Sequence, residues 1–244
     1  MNAPRLFVTQ DLIDQADIAL ERDQAHYIAS VMRRSVGDVV RLFNGRDGEW
    51  LARIEVATRK GVILKCAERT RAQISVPDSE LLFAPVKKTR TNFIIEKATE
   101  LGARTIRPVM TTRTNSERVR TDRLNLIARE AAEQTERLDL PQIGNVEKLG
   151  AVLSAWENRL LIFCDEAGDA TPILEAVQDR GPGPVSILIG PEGGFTSEER
   201  TQIRSIPGAL PVSLGPRILR ADTAAIAALT LWQSVHGDWV SFSN

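Results

Sequence analysis

The chain has 244 residues, 43% hydrophobic and 26% charged, the balance of a globular protein long enough for one large domain or two smaller ones. Its net charge of −1 argues against a uniformly basic nucleic-acid binder, yet residues 1–75 hold 12 basic and 10 acidic side chains, residues 76–137 hold 12 and 9, and residues 138–244 hold 7 and 13. No apolar run approaches a membrane span, MNAPRLFVTQDL lacks a secretion-signal core, and Cys66 and Cys164 show neither zinc nor disulfide spacing, so a cytoplasmic, metal-free protein is expected.

Asp23–Met32 (DQAHYIASVM) fits a short helix ending at Arg33-Arg34. Val39–Phe43 reads as a strand, Asn44-Gly45 and Asp47-Gly48 as turns, and Glu49–Val56 and Gly61–Cys66 as two more strands. This pattern suits a small β-barrel of the kind that grips RNA. Arg5, Arg22, Arg33 and Arg34 become candidates for phosphate contacts, which supply affinity and register. The arginine pair also suits a solvated helix end, where cations complement the dipole. His26 is read as a structural hydrogen-bonder. The composition shifts across residues 71–79 (RAQISVPDS), which places a boundary near Val76 and divides the chain into domains 1–75 and 76–244.

Beyond that boundary strands and helices alternate, the mark of an α/β fold. Leu81–Pro85 is a strand, and Lys87-Lys88-Thr89-Arg90 opens a helix that stops at Gly102. Lys87 and Lys88 join the RNA-contact candidates. Thr105–Val109 is the next strand, Asp122–Arg137 a long helix, and Leu160–Cys164 a strand ending at Asp165-Glu166. The apolar run Val185–Ile189 then stops at Gly190-Pro191-Glu192-Gly193-Gly194, where Thr196 and Glu199 have the spacing of a capping box. Pro211–Leu214 repeats the form, followed by Gly215-Pro216 and a helix from Asp222 or Thr223 to about His236.

Two strands that each end in a Gly-Pro turn can set two loops side by side at the carboxyl edge of a sheet, where ligands bind in open α/β folds. Glycines there let backbone groups approach a ligand closely. Neither G-x-G-x-x-G nor a Gly-Lys-Ser/Thr loop is present, so the site is not built for a pyrophosphate. The same signals also fit a pair of ordinary helix-entry turns.

LIGPEGGFTSEE (Leu188–Glu199) and LGPRILRADTA (Leu214–Ala224) resemble the two cofactor-loop motifs of the SPOUT methyltransferases. More narrowly they resemble the family that methylates N3 of a uridine in bacterial 16S ribosomal RNA. The His26-Tyr27-Ile28…Val31-Met32-Arg33-Arg34 segment and Phe43-Asn44-Gly45 resemble its PUA-like N-terminal domain. EKATELG (Glu96–Gly102) and EAAEQTER (Glu130–Arg137) carry the likeness over nearly the whole chain.

The resemblance implies an α/β fold whose SPOUT domain has a parallel sheet and a C-terminal trefoil knot, preceded by the PUA-like β-barrel. Only the resemblance suggests the knot, since true knots are essentially absent elsewhere. It also implies S-adenosyl-L-methionine as cofactor, the small ribosomal subunit as partner, and a homodimer. The alanine-rich final helix is a natural dimer contact, or else packs within the monomer. The EAAEQTER helix would lie near the active site, and Arg113, in a Thr111–Thr114 loop that departs from the family's wording, would face the target.

On this reading Arg220 stabilises charge on the uracil as N3 loses its proton. Glu192 either accepts that proton or caps the loop and orients Arg220. Backbone groups of Leu188, Ile189, Gly190, Pro191, Glu192 and Gly193, and of Leu214, Gly215, Ile218 and Leu219, hold the adenosyl group. Ile189, Ile218 and Leu219 pack on the adenine, and Thr223 and Ala224 complete the site. Three alternatives remain: a SPOUT enzyme acting on another base or a ribose, a non-catalytic RNA-binding module, and a small-molecule nucleotide-binding enzyme.

Overall fold

A computed structural model of the chain describes residues 3–58, 61–115, 119–165 and 170–240; Glu166, at the end of one expected strand, lies outside them. The chain divides into two compact units, Met1–Ser75 with Ala132–Leu140, and Val76–Ala131 with Pro141–Asn244.

The first unit contains β1 (Arg5–Phe7), β2 (Asp17–Ala19), α1 (Arg22–His26), β3 (Val39–Phe43), β4 (Glu49–Thr58) and β5 (Gly61–Arg71). The strands form one sheet in the order β1-β3-β4-β5-β2, with β1 parallel to β3 and the other pairs antiparallel. β1 and β2 have three residues each, too short for an alternating pattern to show in the sequence. The β4–β5 hairpin shifts register at three points, each of which bends the ribbon. Leu6, Ile18, Leu42, Ile54 and Leu64, one from each strand, meet Ala25 and Ile28 in a single core. The helix expected over Asp23–Met32 changes character at Tyr27, where a π-helical turn runs to Val31.

Arg5 is a correction. Its side chain is not a phosphate contact but is buried, with Nε donating to Glu49 at 2.7 Å and Nη1 to the Ala132 carbonyl at 2.9 Å. Nη2 donates to the Arg137 carbonyl at 2.9 Å, and the guanidinium lies 4.6 Å from the centre of the Phe43 ring. The carbonyls left open at the end of a helix are natural partners for a cation. Here they recruit Arg5, so residues 132–140 pack with this unit. Arg41 adds an ion pair to Glu136 at 3.0 Å.

The second unit begins with β6 (Ser79–Phe83), α2 (Lys88–Glu100), β7 (Thr105–Met110) and α3 (Thr121–Gln134), the last three residues of which count with the first unit. It continues through β8 (Gln142–Ile143), β9 (Glu147–Lys148), α4 (Leu149–Ser154), β10 (Leu160–Cys164), β11 (Thr171–Pro172) and α5 (Ile173–Gln178). β12 (Val185–Ile189), α6 (Ser197–Arg204), β13 (Ala209–Ser213) and α7 (Ala221–His236) complete it. The strands form a parallel sheet in the order β11-β13-β10-β12-β6-β7-β8, with β9 paired to β7. β6 and β12 are buried along their whole length, as strands covered on both faces must be.

The order differs from the simplest expectation. β10 lies between β12 and β13, so the two strands that end in Gly-Pro turns are not neighbours. From β13, beyond β10, the chain returns to place α7 against β12, β6, α2 and α5. Ala224, Ala225, Ala228, Leu229 and Trp232 are buried on α7, so the alanine face packs within the monomer. Ile226, Ala227 and Thr230 stay half-buried.

Candidate active site

The parallel register brings the ends of β10, β12 and β13 to one side of the sheet, where the first turn of α7 closes a cleft. Cys164 ends β10 and Asp165 follows it, Ile189 ends β12 with Gly190 to Glu192 in the loop beyond, and Ser213 ends β13 with Leu214 to Leu219 in the next loop. Ala221 and Ala224 of α7 face the same space.

The loop after β12 is held from several directions. Phe195 folds under it, buried, and meets Phe163 edge to face with ring centres 5.2 Å apart. A Cβ on Gly190 would stand 2.6 Å from the Phe195 ring, so the bare backbone there serves the close approach of this phenylalanine. Thr196 caps α6, and Glu199 answers it in a complete capping box. The other oxygen of Glu199 accepts the Thr112 backbone N–H at 2.7 Å. Arg113 Nη1 donates to the Gly193 carbonyl at 2.8 Å. Glu192 is half-exposed, with an oxygen 3.3 Å from Arg90.

The loop after β13 is more open. Gly215 has φ +110°, a conformation that side chains disfavour, and a Cβ there would meet nothing within 4 Å. Ile218 is 84% exposed, unusual for an isoleucine in a cleft wall. Beneath the cleft the Asp165 side chain is fully buried, paired with Arg200 and, at 2.9 Å, with Arg204 of α6. Burial pushes the Cys164 thiol up to about 12, which keeps it protonated at neutral pH.

The structure sorts the sequence candidates. Ile189, Gly190, Pro191 and Glu192 line the cleft together with Leu214, Gly215, Ile218, Leu219 and Ala224. Leu188 does not; its side chain is buried in the core below. Gly193 faces Arg113 instead, and Thr223 is exposed on α7. Arg220 is the N-cap residue of α7 and exposed, outside the cleft lining, whereas Arg217 is within it. Nothing local in the sequence marks Asp165 or Arg90 as part of the site. The one signal available for Arg217 was its place in the second loop beside Arg220.

Among the RNA-contact candidates, Arg22 and Arg34 border a groove of the first unit that also holds His26. The buried Nε of Arg34 has no hydrogen-bond partner. Arg33 is exposed with φ +52°. Lys87 and Lys88 are exposed at the start of α2, where positive charge opposes the helix dipole. Arg113 is committed to the Gly193–Phe195 backbone. Among the described residues no cluster of His, Cys, Asp and Glu could hold a metal ion, and no helix is long and apolar enough to cross a membrane.

Residues 74–233 match the model of the RNA methyltransferase domain family, and residues 20–65 match that of the RNA methyltransferase PUA domain. The ribosomal RNA small subunit methyltransferase E of Rickettsia conorii is 32% identical over 94% of this chain and 94% of its own. The Bacillus subtilis protein of the same name is 28% identical, covering 91% of this chain and 92% of its own. Among solved structures, a Legionella pneumophila methyltransferase in complex with S-adenosylmethionine superposes with a TM-score of 0.86 at 27% identity, covering 98% of this chain and 100% of that one. The Neisseria gonorrhoeae small subunit methyltransferase E, also bound to S-adenosylmethionine, gives 0.86 at 25% identity with the same coverage.

Proposed function

The chain belongs to the RNA methyltransferase family, and from that premise we propose that it methylates N3 of a uridine in the 16S ribosomal RNA of the small subunit, using S-adenosylmethionine. The observation that carries this reading is the cleft in which both glycine turns meet the end of β10 and the start of α7. Its walls suit the cofactor: backbone of Gly190 and the open turn at Gly215, and the apolar side chains of Ile189 and Leu219 for an adenine. Bound there, S-adenosylmethionine supplies an electrophilic methyl group on its sulfonium.

The remaining chemistry belongs to the protein. The uracil N3–H is a weak acid, so a group at the cleft must take its proton and a cation must stabilise the anion that results. Glu192 is the carboxylate of the cleft rim with an exposed face, whereas Asp165 is occupied by two arginines. Glu192 therefore takes the acceptor role. Arg220 and Arg217, on the same loop, are the cations for the developing charge, with Arg217 already in the cleft wall. Arg22, Arg33 and Arg34 of the first unit, and Lys87 and Lys88 of the second, supply phosphate contacts. The two lysines support this because they do nothing for the helix they begin. A homodimer, which the resemblance implies, is part of the reading, and sedimentation equilibrium checks it.

The test incubates the protein with methyl-labelled S-adenosylmethionine and small ribosomal subunits from a strain lacking this gene. Labelled 3-methyluridine is the expected product. A different methylated nucleoside overturns the choice of target atom and leaves the methyl transfer. Glu192→Gln is expected to lower kcat about a hundredfold or more, the range for loss of a general base. Arg220→Ala and Arg217→Ala, measured separately, show which cation meets the charge through a similar loss.

A further inference from the structure

We propose that Arg90 is a positioning residue of this site, holding the Glu192 carboxylate and the first turn of α7 in the arrangement that receives S-adenosylmethionine. The inference rests on the functional reading above and names a residue which that reading does not use. Phe83 of β6 pairs with Ile189 of β12, and the Ala84 N–H donates to the Ile189 carbonyl at 3.0 Å. The segments that follow the two strands, residues 84–90 and 190–192, therefore leave the sheet side by side.

The start of α2 is firmly set. Thr91 is buried, and its hydroxyl oxygen accepts from the Val86 N–H at 3.1 Å while donating to the Val86 carbonyl at 2.9 Å. Arg90 precedes this anchor and points its guanidinium at two carboxylates. Nη1 lies 3.3 Å from Glu192 and 4.0 Å from Asp222. Glu192 belongs to the loop after β12, and Asp222 to the first turn of α7, which carries the cleft residues Ala221 and Ala224. One cation thus ties together two walls of the cleft that are otherwise remote in sequence. It also offsets the repulsion between two acidic groups that share it.

The arrangement explains how a half-exposed glutamate on a glycine-rich loop can keep one orientation. Without Arg90 the Glu192 carboxylate samples other rotamers, and the two walls lose their common counter-charge. The pair is partly exposed, so its effect is modest in stability and is read in binding and turnover.

Calorimetric titration with S-adenosylmethionine needs no RNA and tests the inference on the full chain. Arg90→Ala is expected to weaken cofactor binding by about five- to tenfold, with Arg90→Lys recovering part of the loss. If Arg90 acts through Glu192, the Arg90→Ala and Glu192→Gln effects on kcat will fall short of multiplying when combined. Fully multiplicative effects, or cofactor binding by Arg90→Ala equal to that of the parent chain, overturn the inference. A loss confined to the KM for RNA also overturns it, because it makes Arg90 a direct RNA contact. Failure of the parent chain to bind S-adenosylmethionine overturns the functional reading, and this inference with it. A lower Tm with full loss of binding in both Arg90 variants indicates a purely structural role and overturns the proposal too.

Discussion

Arginines in this chain are assigned by what surrounds them. Arg5 and Arg33 are both candidates for phosphate contacts in the sequence, yet one is buried on Glu49 and helix-end carbonyls and the other is exposed. Arg5→Ala leaves the Glu49 carboxylate buried without its main partner and should cost about 3–5 kcal/mol, the range for breaking a buried pair from one side. Thermal unfolding will show it as a marked fall in Tm. Arg33→Ala should leave Tm nearly unchanged and weaken RNA binding instead, as filter binding can measure. Cys164 is the counterpart among neutral groups. Its thiol, pushed up to about 12 by burial, should react slowly with alkylating reagents at neutral pH.

Elements follow from local chemistry where that chemistry is strong. Thr196 and Glu199 form the capping box their spacing announces, and Gly102 ends α2 with φ +78°. Thr196→Ala should cost about 1 kcal/mol, the usual loss of an N-cap, measured by denaturant unfolding. Gly190→Ala should cost about 1–3 kcal/mol, because the new methyl group meets the buried Phe195 ring and overpacks the turn. It should also weaken cofactor binding, since the displaced turn is a wall of the cleft. Elements of two or three residues, such as β1, β8 and β11, were not legible. They exist because longer neighbours offer them an edge to pair with.

At the scale of the molecule, two carboxyl groups of the first unit lie below their ordinary range. The Leu12 N–H and then the Asn44 side chain hold Asp47 down, and the Arg41 hydrogen bond does the same for Glu136. A group depressed in the folded state contributes stability above its unfolded pKa, and that stability is lost as pH falls through the folded value. The first unit should therefore weaken as pH drops below the usual carboxylate range. Asp47→Asn and Glu136→Gln should flatten that dependence, as hydrogen exchange along an acid titration can follow. The whole chain is slightly acidic, so its RNA affinity rests on local basic groups and should fall linearly in log–log form with salt. Binding that ignores salt would contradict the phosphate contacts assigned to Arg22, Arg33, Lys87 and Lys88.

The sequence by itself determined the alternation of strands and helices in the second unit, both glycine turns, the capping box and Glu192 as the acid of the first turn. These depend on backbone preferences and hydrogen bonds spanning a few residues. Only the tertiary structure decided that β10 separates β12 from β13, that Asp165 is claimed by Arg200 and Arg204, that Arg90 meets Glu192, and that residues 132–140 enclose Arg5. Strand order and pairing between distant charges follow the path of the crossovers. A crossover is chosen by burial of the whole sheet, which no short window of sequence contains.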